Sequence, residues 1–147
     1  LKTTDKISGL TLMEMMMVIA IIGVLCAIAT PNIIKWLPKH RVGSAAREVM
    51  ATLEYARINA IKANEAVTVS FNWFPPRVTV ADSGGTTLRS RRLPDDVNFY
   101  NLNLGLSVTF NGHGFSSQSG GVAVENVNNA AIQRIIKLTL GGNVSIE

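Results

Sequence analysis

The sequence predicts an α+β protein, in which a long helical N-terminal region precedes a series of short antiparallel strands. Three observations predict it. Leu10 to Ala29 reads LTLMEMMMVIAIIGVLCAIA, an apolar run with a single charge, Glu14. Val42 to Ala63 carries apolar residues at spacings of three and four. From Val67 onward the period falls to two, and clusters of Pro, Gly, Asp and Asn punctuate the chain every few residues.

The first run is about 30 Å long as a helix, the thickness of a bilayer's hydrocarbon core, and predicts a membrane span. Glu14 is its odd residue. A carboxylate costs about 2.5–3.5 kcal/mol at the bilayer centre and is seldom kept without a partner. Upstream, the bases are Lys2 and Lys6, and Ser8-Gly9 are small residues that a processing peptidase accommodates. A cut after Gly9 gives Leu10 a free amine one helical turn from Glu14, where the two charges offset each other within one chain or between neighbours. The alternative on the residues alone is an uncleaved signal anchor whose Glu14 snorkels to headgroup level. Lys2 and Lys6 favour a cytoplasmic N-terminus, whereas Lys35, Lys39 and Arg41 beyond the span oppose it.

Composition excludes several classes. In 147 residues there is room for one domain beyond the span, and the 47% hydrophobic content is inflated by the span. Cys26 is the only cysteine and lies inside the run, so no intrachain disulfide forms. The net charge of +4 drops by one when Lys2, Lys6 and Asp5 leave with a leader, too mild an excess for a dedicated nucleic-acid binder.

Pro31 and Pro38 leave two readings open, in which each proline ends a helix or both kink one long helix. From Val42 the stripe Val42, Ala46, Val49, Leu53, Ala56, Ala60 and Ala63 marks an amphipathic helix, with Arg41, Glu48, Thr52, Asn59 and Lys62 mostly opposite. Its alanines permit close approach to the chain's own sheet and are poor coiled-coil contacts. After Asn64, Val67, Val69 and Phe71 alternate with polar residues in a first strand that Pro75-Pro76 closes. Arg77 to Ala81 is its hairpin mate, Asp82 to Gly85 a turn, and Thr86 to Leu93 a third strand with Arg89 and Arg91 on one face. Pro94-Asp95-Asp96 turns the chain into Val97–Tyr100, and Ser107–Phe110 follows. Asn111 to Gly114 is a loop and Ser116 to Gly121 a flexible surface loop. Gly121–Glu125, Ile132–Leu140 and Asn143–Ile146 complete seven or eight strands, with Gly141-Gly142 as a tight turn.

Reactive side chains are scarce. His40 is read as a solvated helix residue and His113 as a turn residue with no evident acid or nucleophile partner. Asp95 and Asp96 are read as turn acids, and no metal-ligand spacing occurs. Gly112 and Gly114 do not join a strand to a helix, so they form no phosphate cradle. Neither a catalytic residue nor a cofactor is expected. Arg89, Arg91 and Arg92, with Arg134 and Lys137 on a late strand, form a weak candidate patch for anions or DNA.

Gly9-Leu10-Thr11-Leu12-Met13-Glu14, the unbroken apolar run, and Pro31 followed by an amphipathic helix resemble the N-terminus of type IV pilins and of the pseudopilins of type II secretion systems. Ala45-Ala46-Arg47, Ala56 to Asn64, Val67-Thr68-Val69 and Phe110 to Gly114 resemble the GspH/FimT-like minor pilins and pseudopilins within that group, and the likeness covers nearly the whole chain. It implies a leader at 1–9, a transmembrane and filament-core helix at 10–31, an amphipathic continuation at 32–64, and a β-rich globular domain at 65–147. The second half of the helix would pack on an antiparallel, β-sandwich-like pair of sheets, with kinks at Pro31 and Pro38.

The same resemblance implies a structural subunit with no enzymatic activity. Prepilin peptidase would cut between Gly9 and Leu10 and methylate Leu10, where the family usually has phenylalanine. The subunit would stand in the bacterial inner membrane with its C-terminal domain exported, and Glu14 would dock it among other pilin or pseudopilin subunits. The rival implied by some members is a DNA receptor in natural transformation. In those members the contact resembles an arginine-bearing segment after a glycine, and here Gly141-Gly142-Asn143-Val144-Ser145 has no arginine.

Overall fold

The computed structural model describes residues 11–101 and 103–147, so the Gly9/Leu10 junction lies outside the described residues. A single helix α1 runs Leu12–Ala63, followed by eight strands. Pro31 and Pro38 both lie within α1, which rules out the reading that each proline ends a helix. The helix ends at Asn64, whose φ of 52° is left-handed. The Asn64 N–H donates to the Ile61 carbonyl at 3.3 Å and the Glu65 N–H to that of Ala60 at 3.2 Å. That paired closure satisfies two of the orphan carbonyls of the last turn.

The chain divides into two units at Trp36/Leu37, and the second, Leu37–Glu147, contains all the strands. Its two antiparallel sheets match the expected architecture. One has the order β3 (Thr87–Arg92), β2 (Arg77–Ala81), β1 (Val67–Asn72), β5 (Ser107–Phe110). The other has β4 (Val97–Asn101), β6 (Gly120–Asn126), β7 (Asn129–Leu138), β8 (Val144–Ile146). The inward rows Val67, Val69 and Phe71 from β1 and Val122 and Val124 from β6 share one core with Val42, Val49, Leu53 and Ala56 of the helix. Phe71 and Phe99 join the two sheets edge to face, with ring centroids 5.6 Å apart.

Four expectations are corrected. Thr52, which the spacing assigns to the polar side of the helix, is fully buried, because its hydroxyl donates to the Glu48 carbonyl at 2.7 Å and leaves its methyl to pack. Ala63, which the spacing assigns to the core stripe, is exposed, since it is the last helical residue before the Asn64 turn. Ser116 is held rather than loose: its N–H donates to the Leu140 carbonyl at 2.9 Å and its hydroxyl to that of Gln118 at 2.7 Å. Finally, β7 begins at Asn129 and not Ile132, because Asn126 pairs with Asn129 and extends the β6–β7 ladder through a polar stretch.

Candidate functional site

The apolar half of α1 is the first candidate. Leu12–Thr30 is long and apolar enough to cross a membrane, and none of it is buried within the protein. Met13, Met16, Ile19, Leu25 and Ile28 are all exposed. Each such side chain is worth about 1.5–3 kcal/mol of transfer out of water, so this segment requires an apolar environment from outside the chain. Thr11 starts the helix: the Glu14 N–H donates to its Oγ1 at 3.2 Å and the Met15 N–H to its carbonyl at 3.2 Å. Thr11-Leu12-Met13-Glu14 therefore has the spacing of a capping box, a signal present in the sequence and missed in reading it. Among the described residues no cation lies within 4 Å of the Glu14 carboxylate. Cys26 is exposed on the same segment, and its carbonyl accepts the Thr30 hydroxyl at 2.7 Å.

The cations of the candidate patch are not brought together. Arg89, Arg91 and Arg92 lie on β3, at the edge of one sheet, and Arg134 and Lys137 lie on β7 in the other. Three residues apart on a strand, Arg134 and Lys137 face opposite ways. Most of these charges are already neutralised. Arg89 and Arg91 share Glu48 at 3.1 and 3.2 Å, Arg92 meets Asp95 at 2.7 Å, and Lys137 meets Glu147 at 2.6 Å. The guanidinium of Arg89 also lies 5.2 Å from the centre of the Tyr55 ring. Asp95 and Asp96 are turn residues as expected, and Asp96 pairs with Arg41 at 3.0 Å. His113 is exposed in the 111–114 turn, its N–H donating to the Asn111 side chain at 3.1 Å. Among the described residues no cluster of His, Cys, Asp or Glu is arranged to hold a metal ion.

Two loops close over the C-terminal end of the helix, and sequence reasoning did not foresee it. Gly114 and Gly142 have φ of 80° and 74°, and both lie against Arg57. A Cβ on Gly142 would stand 2.1 Å from the Gly114 carbonyl oxygen, so neither residue tolerates a side chain without movement. Here Arg57 Nε is enclosed without a hydrogen-bond partner.

Against this geometry, two family models match the chain. That of the type II transport protein GspH covers residues 45–142, and the prokaryotic N-terminal methylation motif covers residues 5–30. A comparison with curated proteins found no match. Among solved structures, the type IV minor pilin FimU of Pseudomonas aeruginosa is similar, with 17% identity, a TM-score of 0.65, and coverage of 76% of this chain and 92% of that one. The minor pseudopilin EpsH from the type 2 secretion system of Vibrio cholerae is similar at 11% identity and a TM-score of 0.61, over 73% of this chain and 96% of that one. At these identities the likeness is one of fold: a long helix followed by two sheets.

Proposed function

This chain belongs to the family of the type II transport protein GspH, and from that membership we propose that it is added as a minor pilin or pseudopilin subunit to a type IV pilus or a type II secretion pseudopilus. The observation that carries the reading is the Leu12–Thr30 segment, wholly unburied within the chain and interrupted by one acid at its capped start. The methylation motif over residues 5–30 supports its processing.

In this reading residues 1–9 are a leader that prepilin peptidase removes between Gly9 and Leu10, methylating Leu10. Residues 10–31 anchor the subunit in the bacterial inner membrane, with the C-terminal domain on the exported side. Residues 32–64 continue the helix and join the β-rich domain, 65–147, to it, and Pro31 and Pro38 supply kinks.

Assembly moves the apolar helix from lipid to a bundle of neighbouring helices, which replaces one apolar environment by another at little cost. Glu14 then decides register. Its carboxylate costs about 2.5–3.5 kcal/mol unpaired in the hydrocarbon, and the N-terminal amine of Leu10, on its own or a neighbouring chain, offsets that cost only when the subunits are correctly staggered. The subunit performs no chemistry on a substrate.

Two measurements test this. Mass spectrometry of the mature protein is expected to find a methylated Leu10 at its start, and any other first residue removes the basis of the pairing. Glu14→Ala is expected to insert into the membrane normally yet to be absent from sheared filaments; normal incorporation of that variant contradicts the role given to Glu14.

A further inference from the structure

One cation of the unit Leu37–Glu147 is treated by the fold unlike the others. Arg57 is half-buried, its Nε is enclosed, and no atom of its guanidinium makes a hydrogen bond among the described residues. Every other lysine and arginine of this unit is in water or bonded. Lys39, Arg47, Lys62 and Arg134 are exposed, Arg77 donates to the Ser90 hydroxyl at 3.1 Å, and the rest pair with acids. Arg89, whose Nε is enclosed as well, still has Glu48 at 3.1 Å.

Glu54, three residues earlier on the helix, has the spacing for a pair with Arg57 yet lies beyond 4 Å of it. The side chain is committed to the loops instead. A Cβ on Gly142 would stand 2.9 Å from Arg57 Nε and 3.3 Å from its Cδ, and one on Gly114 would stand 3.3 Å from the same Nε. The two terminal nitrogens are not enclosed, so they are the donors the fold leaves on offer. A half-buried guanidinium with no acid lowers the stability of the chain that carries it, because it gives up water and gains no partner.

The surroundings indicate what the missing acid is attached to. Ile58 and Ile61 share one face of the helix, and Phe115 and Leu140 lie on the two loops that close on its end, the Leu140 carbonyl accepting the Ser116 N–H at 2.9 Å. All four are about half exposed. A guanidinium set among exposed aliphatic and aromatic side chains has the composition of a protein interface, where arginine and aromatic residues anchor the contact, whereas a phosphate backbone calls for further cations in place of an apolar surround. We propose that this face docks a partner protein through an aspartate or glutamate flanked by apolar side chains, the carboxylate closing on Arg57 and the flanking groups on Ile58, Ile61, Phe115 and Leu140. The planar fork of Arg57 matches the two oxygens of a carboxylate, and the apolar contacts keep water from the pair. The proposal stands on Leu37–Glu147 alone and does not need the filament reading.

The test has two arms, both on the full chain. In detergent micelles Arg57→Met keeps the side chain apolar as far as the position of Nε and removes the unpaired cation, so its melting temperature is expected to be no lower than the parent's and up to about 4 °C higher. A fall shows that Arg57 supports the fold and overturns the proposal. In cells, the photo-cross-linker p-benzoylphenylalanine replaces Ile58, and the cross-linked peptide of the partner is sequenced. That peptide is expected to carry an acid beside apolar residues. Changing the acid to its amide, or Arg57→Met, is expected to lower the cross-linking yield about tenfold or more, while Glu54→Gln leaves it unchanged. A cross-linked peptide without an acid, a yield that Arg57→Met does not move, cross-links to nucleic acid or lipid in place of protein, or no cross-link at all overturns the proposal.

Discussion

Three glycines with left-handed backbones provide a graded test of how the loops close on the helix. Gly85 has φ of 82° and open space where a Cβ would go, so Gly85→Ala meets only the conformational cost, about 1–2 kcal/mol. Gly114 has φ of 80°, and its Cβ would meet Ile61 Cδ1 at 2.7 Å, the movable end of a side chain. A rotamer adjustment of Ile61 brings the expected cost of Gly114→Ala to about 2–3 kcal/mol. Gly142 has φ of 74°, and its Cβ would stand 2.1 Å from a backbone oxygen, that of Gly114. The 111–114 loop must shift bodily, which takes Gly142→Ala to about 3–5 kcal/mol. At about 4 °C per kcal/mol for a unit of this size, melting temperatures should fall by roughly 5, 10 and 15 °C in that order. The assay is thermal unfolding of the full chain in detergent micelles, followed through Trp73, which is partly buried against the core. Gly84→Ala, with no left-handed backbone and its nearest atom at 3.4 Å, is the neutral reference. If Gly142→Ala melts within about 2 °C of Gly85→Ala, the loop and turn do not close on the helix end as described.

Two other pairs of variants probe the buried face of the helix and the ion pairs of β3. Thr52→Lys places a charge in the core and should cost about 3 kcal/mol or more, while Ala63→Lys at the exposed last turn should stay within about 0.5 kcal/mol, as read by the same melting assay. The reverse order is what the sequence stripe alone expects, so the pair separates the two assignments. Glu48→Gln leaves Arg89 and Arg91 without their shared acid and should cost about 1–2 kcal/mol, because the Arg89 side chain is only 24% exposed. Asp95→Asn breaks a pair whose acid is 79% exposed and should change stability by less than about 0.5 kcal/mol in chemical denaturation.

Much of this molecule is determined by local pattern. The apolar run with Glu14, the stripe from Val42 to Ala60, the switch of period after Asn64 and the β1–β2 hairpin each follow from side-chain spacing, which reports which face of a helix or strand meets water. Glu14 also stands out at this level, because a single carboxylate in an apolar run is conspicuous whatever its role. Tertiary structure alone decided the rest. That Thr52 is core and Ala63 surface depends on a hydroxyl finding the Glu48 carbonyl and on where the helix stops, neither of which periodicity encodes. That Arg89 and Arg91 share an acid 41 residues or more away, while Arg134 is left beside Lys39, depends on which sheet each strand joins. Strand order and charge partners arise from contacts between residues distant in sequence, whose energies only the closed core brings into play.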